Sequence, residues 1–562
     1  MEELRTRDGA SWRSTMKMLQ AVGKGSKYEH RNLIGYLDGL KNFKHQELVD
    51  FYHRWYRPDY QAVIVVGDVD VDAVESKIKT LMSDIPAPAA DAPQKEAYTV
   101  PDNEEPIVSI YTDPEMQGTR VQLFIKRPAT PKQYNNLLYG ELINILQSYV
   151  MTMENARLQE IAMQPDAPFL GAGMGTGDVF GVIPTLEMTS YAAMTKDGEL
   201  NRGFEALYTE MEKVRRHGYT QGEFERAQEN LMRQIERQYA NRNDRRNNEY
   251  VQLYLNNYRK NSPIPDAQTE WQMDSLLIRS LDVETVNAFA QQQLTPTNQV
   301  IVVTAPEKEG LAAPTEAEHQ GQGRTAGHPR EGDVIGGRGL RGQRGQGAAH
   351  PGGHRAEGLA REEDGRGRRA RHDGVDAQER REGGCEAHDL QGRRGAPACG
   401  LSILPDGEFY MGEMMPAVNS MSGVGKFSAT ELKKQLSGKS ASVQPSVENY
   451  ASVMNGVCSP KDLETMFQLL WLNFTQPRFD ENDYNTLMNM LRTQLENAKS
   501  NPDYTMMEVF TDEAYGHNPR RQMISLEHLD QFSFEALPGI YRKLYPDANS
   551  FLFTIVGNVD LE

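Results

Sequence analysis

A helix–turn–strand phrase that occurs three times constrains the fold of this chain more than any other feature. In each copy a helix ends at a proline, and an apolar, mostly β-branched or aromatic run follows and closes at a turn. The copies are VDFYHRWYRPDYQAVIVVGDVD from Val49, VNAFAQQQLTPTNQVIVVTAPE from Val286 and LPGIYRKLYPDANSFLFTIVGNVD from Leu537. Their prolines, Pro58, Pro296 and Pro546, lie 238 and 250 residues apart, far more than a solenoid repeat. The phrase therefore predicts duplicated domains, each closed by one buried strand.

Composition limits the classes of protein that this chain can belong to. Its 562 residues suit three or four domains, and 38% hydrophobic with 25% charged residues is typical of globular domains. The net charge of −18 disfavours binding to nucleic acids or anionic membranes. There is no apolar run long enough for a membrane span, and the first residues lack the apolar core of a signal peptide. Three cysteines exclude a disulfide framework.

The order of strand-like and helix-like segments predicts an α+β fold, with helices packed on a mostly antiparallel sheet. Residues 100–306 look like one complete domain, with strands near 107–111, 121–125 and 180–195 and helices over 135–162 and 202–217. The second helix is expected to end at Gly218, and a capping box starts the next at Thr220. Residues 403–562 look like most of another domain.

Residues 1–92 hold a single strand-like run, residues 62–66, among several helices. A lone strand cannot form a sheet, so we expect this segment to be the second half of a domain whose beginning lies outside the sequence. The aromatic residues Phe51, Tyr52, Trp55 and Tyr56 are expected to pack in a core or a domain interface.

Residues 307–402 break the pattern of the rest of the chain. The stretch 319–402 is rich in Gly and Arg and contains no Phe, Tyr, Trp or Lys. It is either a genuine Gly/Arg-rich linker or a product of translation in the wrong reading frame. A one-base shift of plausible codons for VDAQERREGG at 375–384 can encode an ordinary strand–turn–strand sequence. Both interpretations predict no packed core here.

The three phrases, together with YEHRNLIG, SPKDLETMFQLLWLNFTQPRFD and GVGKFSATELKKQLSGKSASV, resemble the insulinase/pitrilysin family of zinc metallopeptidases, the inverzincins. The resemblance covers nearly all of the chain outside 319–402. It implies that 1–92 is the second half of domain one, 100–306 domain two and 403–562 most of domain three of a four-domain bacterial member, with domain four absent. It also implies zinc as cofactor and peptides or unfolded proteins as substrates. Bacterial relatives are often periplasmic or secreted, so the compartment of this chain stays open.

The chemistry of that family depends on the motif H-x-x-E-H. On a helix its two histidines bind zinc from one face, and its glutamate activates the zinc-bound water. None of the twelve histidines of this chain lies in such a motif, and H-E-x-x-H is also absent. The resemblance therefore implies that the catalytic base and two zinc ligands are missing from this sequence.

The third zinc ligand of the family is a glutamate in a pattern similar to V-I-x-E-E-x-R. The first residues, MEELR, look like the end of that pattern, which places Glu3 at the ligand position and Glu2 beside it as the alternative carboxylate. Both could equally be ordinary acids favoured by a helix dipole. Because a lone carboxylate holds zinc poorly, we expect a vestigial site and no zinc bound by this chain.

Two glycine-rich stretches, Gly171–Gly177 and Gly423–Ser428, match neither the dinucleotide fingerprint nor the P-loop, and both are interpreted as turns. The sequence thus predicts a fragment of a zinc metalloendopeptidase that is inactive alone. The alternative is a non-catalytic homologue that binds substrate or completes the chamber of an active partner subunit. Neither hypothesis includes a nucleic acid or a membrane span.

Overall fold

A computed structural model describes residues 3, 9–308, 314–315, 398–400 and 404–555, except positions 33, 165, 180, 449, 450, 500 and 501. Most of the Gly/Arg-rich tract lies outside these residues, so both interpretations of it stay predictions.

The helices and strands up to the second phrase are α1 Ala10–Val22, α2 Leu37–Asn42, α3 His45–Trp55, α4 Val71–Met82, β1 Ile107–Asp113, β2 Thr119–Pro128, α5 Lys132–Asn135, α6 Leu138–Ala162, β3 Gly171–Val179, β4 Ile183–Thr195, α7 Leu200–His217, α8 Gln221–Ala240, α9 Asn247–Lys260, α10 Ala267–Ser280, α11 Val283–Gln293 and β5 Gln299–Pro306. Those that follow are β6 Ala398–Gly400, α12 Asp406–Ser422, α13 Ala429–Gln435, β7 Ala441–Val447, β8 Ser452–Cys458, α14 Leu463–Thr475, α15 Glu481–Ala498, α16 Pro502–Ala514, α17 Leu526–Asp530, α18 Leu537–Leu544 and β9 Leu552–Phe553. Short 3₁₀ turns lie at Pro58–Tyr60, Arg242–Asp244, Pro460–Asp462 and Ala548–Ser550.

The first sheet has five strands in the order β1-β5-β2-β4-β3. Its interior strand β5 is the closing strand of the second phrase, and all eight of its residues are buried. β5 runs parallel to β1 and antiparallel to β2, and the remaining pairs are antiparallel. The expected α+β class and the buried strand of this phrase are confirmed.

Helices cover both faces of this sheet. On one face α6, α7, α8, α10 and α11 enclose a core that includes Leu123, Tyr149, Phe204 and Ile301. The opposite face is covered by α1, whose Met18, Leu19 and Val22 belong to the same apolar cluster as Phe124 and Val300. The start of the described chain therefore shares a core with the segment that the sequence assigns to domain two.

The first phrase differs from its sequence prediction. Residues 62–66 are extended but belong to none of the strands that the structure describes, and Val63 and Val65 are 56% and 49% exposed. The predicted buried strand is therefore wrong. The core position predicted for Phe51, Tyr52 and Tyr56 is wrong too, since each is more than half exposed. The physical reason is that β5 has a strand on each side, whereas no described strand lies beside 62–66.

The second sheet has four strands in the order β7-β8-β6-β9, all antiparallel. Its core contains Met415, Met454, Leu470 and Tyr541. β6 begins at Ala398, so this sheet starts a few residues inside the tract predicted to have no packed core. The third phrase forms α18 and the two-residue strand β9, whose Leu552 and Phe553 are both exposed, so the buried strand predicted for this copy is wrong as well. None of the described helices is both long and apolar enough to cross a membrane.

Candidate functional site

The glycine-rich stretch Gly171–Gly177 forms strand β3, so its interpretation as a turn is wrong. Glycine occupies every second position, while Ala172 and Met174 between them pack against the helix-covered core. The strand pairs with β4 in the register Met174–Tyr191. The signal that could have revealed it is the period of two in Gly-x-Gly-x-Gly, since side chains alternate between the faces of a strand.

β3 is an edge strand of the five-stranded sheet. β4 lies on its inner side, and no strand among the described residues pairs with its outer side. Its two end glycines border open space, because a Cβ placed on Gly171 or Gly177 would meet no atom within 4 Å, whereas one on Gly173 would meet Asn155 Oδ1 at 3.4 Å. An edge strand presents backbone N–H and C=O groups to any chain that approaches, and glycine permits a close approach.

Two backbone groups on the outer side of β3 are bound by a side chain from α6. The Asn155 Nδ2 donates to the carbonyl of Met174 at 2.9 Å, and the N–H of Met174 donates to Asn155 Oδ1 at 2.8 Å. On the inner side, the Ser190 hydroxyl of β4 donates to the carbonyl of Gly175 at 3.2 Å. Because successive strand residues direct their backbone groups to opposite sides, Ala172, Met174 and Thr176 share the outer orientation.

A cavity of about 860 Å³ lies at the carboxyl end of β3. Gly177 and Asp178 of β3 contribute to its wall, as do the beginning of α6, the end of α9, and α10. Side chains of both charges line it, and Lys260 pairs with Asp178 at 2.8 Å. Gly177 and Asp178 are thus the β3 residues that border the cavity.

Three carboxylates of the cavity wall lie close enough to influence one another. Glu270 pairs with Arg245 at 2.9 Å. Asp274, also on α10, has a buried Oδ1 with no hydrogen-bond partner among the described residues. Burial, followed by the negative charges of Glu141 and Glu270, raises the pKa of Asp274 to about 7. Burial also raises the pKa of Glu141. The cavity therefore favours groups that can donate a hydrogen bond or carry a positive charge.

A buried polar network lies beneath β3 and β4, next to Asn155 on α6. Glu154 is fully buried, and the Tyr219 hydroxyl donates to its Oε2 at 3.0 Å. The buried Tyr191 interacts with the same carboxyl. Burial, with a further contribution from the negative charge of Glu210, raises the pKa of Glu154 to about 7. Below this pH the carboxyl is therefore mostly neutral in the folded protein.

Arg157, one turn along α6, carries the positive charge of the network. Its Nε donates to Glu223 Oε1 at 2.5 Å, and a second nitrogen donates to Glu210 Oε1 at 3.1 Å. Although burial acts in the opposite direction, the hydrogen bonds from Arg157 lower the pKa of Glu223 to about 2. Glu223 also accepts from the N–H of Thr220, which forms the predicted capping box and begins α8.

The predicted zinc position does not become a metal site in the described structure. Glu3 is exposed in a helical position, and Glu2 lies outside the described residues. Within the described part of the chain, no group of three or more His, Cys, Asp or Glu side chains could hold a metal ion. The assignment of Glu3 to a vestigial ligand position, with Glu2 as the alternative and no zinc bound by this chain, stays a prediction.

Comparisons with known proteins agree with this fold. A family model described as the peptidase M16 inactive domain matches residues 42–231. The zinc protease PQQL-like of Arabidopsis thaliana is 24% identical over 306 residues, which are 54% of this chain and 28% of that protein. The probable zinc protease PqqL of Escherichia coli K12 is 23% identical over 232 residues, 40% of this chain and 23% of that protein.

Two solved structures share the fold at low sequence identity. The ferredoxin protease FusC, solved in complex with Arabidopsis ferredoxin, has a TM-score of 0.59 and 16% identity, covering all of this chain and 61% of that one. The periplasmic protease PqqL of Escherichia coli has a TM-score of 0.52 and 18% identity, covering all of this chain and 60% of that one.

The sheets, their helix layers and these matches define an α+β fold that is shared with M16 peptidases. The matches support membership of the peptidase M16 family, the insulinase/pitrilysin family that the sequence phrases resemble. It spans less than a third of the length of the curated relatives that it matches.

Proposed function

We propose that this chain provides the non-catalytic, polypeptide-binding domains of an M16 zinc protease. Its curated relatives are named zinc proteases, and the family model that it matches is that of an inactive domain. The sequence contains no H-x-x-E-H motif to supply two zinc ligands and a general base. The chain therefore holds substrate and does not cleave it alone. It completes a chamber around a catalytic site contributed by other residues or by a partner subunit.

The observation that carries this proposal is the open edge of β3. An extended polypeptide can add to a sheet edge as a further strand, with its backbone hydrogen bonds giving affinity that depends little on sequence. The glycines of β3 leave room for that backbone. Such binding suits a protease that acts on many peptides or on unfolded segments.

The cavity at the end of β3 would add selectivity to this binding. A chain that follows the outer edge past Thr176 reaches the wall formed by Gly177 and Asp178. There a lysine or arginine side chain or a free amino terminus would lie near Asp274 and Glu141. Pairing with a cation would compensate for the unfavourable burial of Asp274.

Fluorescence anisotropy with a labelled, unstructured, lysine-containing peptide tests this proposal. The matched control is the same peptide with every second backbone amide N-methylated, which removes the donors needed for strand addition and leaves the side chains unchanged. We expect saturable binding of the first peptide and loss of binding for the second. Equal binding of both would contradict strand addition.

A peptidase assay tests the non-catalytic assignment separately. We expect no cleavage of the peptide when the purified chain is supplied with zinc. Cleavage that a chelator abolishes would overturn this assignment, whatever the result of the binding measurement.

A further inference from the structure

The Asn155 side chain forms the two bonds that a neighbouring strand would form. Its amide group donates to the carbonyl of Met174 and accepts from the N–H of the same residue, at 2.9 and 2.8 Å. A residue of a paired antiparallel strand makes this exchange with its own N–H and C=O. The backbone groups of Met174, which an added strand would use on the outer edge of β3, are thus already bonded within the protein.

Asn155 is fixed in place by its helix. Its neighbour Glu154 is fully buried, and Met153 and Leu158 of α6 lie in the apolar core. Asn155 Nδ2 also donates to the carbonyl of Met151 at 2.8 Å within α6, which holds the amide in its orientation. A strand that continued past Met174 would have to displace this side chain from the edge. Toward the cavity, the outer-facing groups of Thr176 have no strand partner among the described residues.

We propose that Asn155 ends the added strand and thereby sets its register on β3. This inference rests on the proposed function. The bound polypeptide pairs with the outer edge from Thr176 toward the cavity. It stops at Met174 because Asn155 occupies that position. Asn155 is a specificity-determining residue in this arrangement. It selects where the polypeptide lies, so that the segment beyond Asp178 enters the cavity.

The variant Asn155→Ala tests this inference. Removing the amide frees the N–H and C=O of Met174, so the added strand gains one residue of pairing. We expect binding of the labelled peptide about 3–10-fold tighter than in the wild type, the effect of one further backbone hydrogen-bond pair. N-methylation at single peptide positions should show one additional sensitive amide in the variant. Ser148→Ala is the matched control, since the Ser148 hydroxyl donates only to the carbonyl of Asn144 within α6.

Amide hydrogen exchange without peptide separates a structural role from the proposed one. In the wild type the Met174 amide should exchange slowly, and in Asn155→Ala it should exchange faster while the amides of β4 stay protected. If the variant binds peptide equally or more weakly than the wild type, Asn155 does not limit the strand and the inference fails. If neither protein binds peptide, the proposed function fails as well, which is a different and recognisable result.

Discussion

The buried Glu154 carboxyl makes the stability of the five-stranded sheet and its helices depend on pH in a direction opposite to that of an ordinary ion pair. Its pKa is raised from an ordinary 4.5 to about 7 by burial and by Glu210. The folded protein therefore holds this proton more tightly than the unfolded chain does. Its contribution to stability is complete below pH 4.5 and is lost as the pH rises through 7. The substitution Glu154→Gln keeps the shape and the acceptor for Tyr219 but removes the titrating proton.

The size of the effect follows from the pKa change. A difference of one pKa unit corresponds to 1.36 kcal/mol, so raising the pKa of Glu154 from 4.5 to about 7 makes the folded state about 3 kcal/mol less stable above pH 7 than below pH 4.5. With a urea dependence of about 2 kcal/mol per M, the unfolding midpoint should fall by about 1.5 M over this range. In Glu154→Gln the midpoint should fall much less over the same pH range. The pH dependence that remains comes from Asp274.

Urea titrations that follow Trp271 fluorescence measure this stability locally, because Trp271 lies in α10 and stacks on Tyr239 with ring centroids 5.2 Å apart. Replacing the other three tryptophans by phenylalanine isolates the signal. Glu205→Gln, an exposed position of α7, is the control and should keep the wild-type pH dependence. A wild-type midpoint that rises toward alkaline pH, or an equal fall in Glu154→Gln, would refute the reasoning.

Three further substitutions test the same domain with the same titration. Arg157→Met should lower the free energy of unfolding by about 3–5 kcal/mol, because it leaves buried carboxylates without their cation. A decrease below about 1 kcal/mol would mean that the ion pairs contribute little to stability. Asp274→Asn should raise the free energy of unfolding at pH 8, by an amount on the order of 1 kcal/mol, and leave it nearly unchanged below the ordinary pKa of 3.8, since burial disfavours the ionised carboxylate. Thr220→Ala removes the side-chain cap of α8 and should lower the free energy of unfolding by about 1 kcal/mol at every pH. A decrease that varies with pH would mean that the substitution acts through the Glu223 carboxylate.

Features that depend on neighbouring residues in the sequence were predictable. Gly218 ends α7 with a positive φ of 69°, which glycine adopts without strain, and Thr220 begins α8 with its hydroxyl accepting from the N–H of Glu223. The long helix α6 follows from its apolar periodicity. The strand β5 follows from its apolar run between turn residues. Each of these signals lies within a few residues of the element that it defines.

Features that depend on distant partners were not predictable from the sequence. Residues 62–66 and β5 have similar sequences, yet only β5 has strands on both sides. β3 contains too few side chains for a hydrophobic pattern, and its pairing with β4 decides its conformation. The contact between Asn155 and Met174 and the cavity at Asp274 arise only when α6, α10 and β3 come together.

The position of β5 also determines when the first sheet can form during protein synthesis. Asn103, just before β1, hydrogen-bonds with Asn298, just before β5, although 195 positions separate them in the chain. Among the described strands β1 pairs only with β5, and β2 has β5 on one side, so these strands leave the ribosome long before their partner is made. Because contacts between distant residues form slowly, the nascent chain exposes two unfinished sheet edges during this interval. The five-stranded sheet therefore cannot close until β5, which ends at Pro306, has left the ribosome.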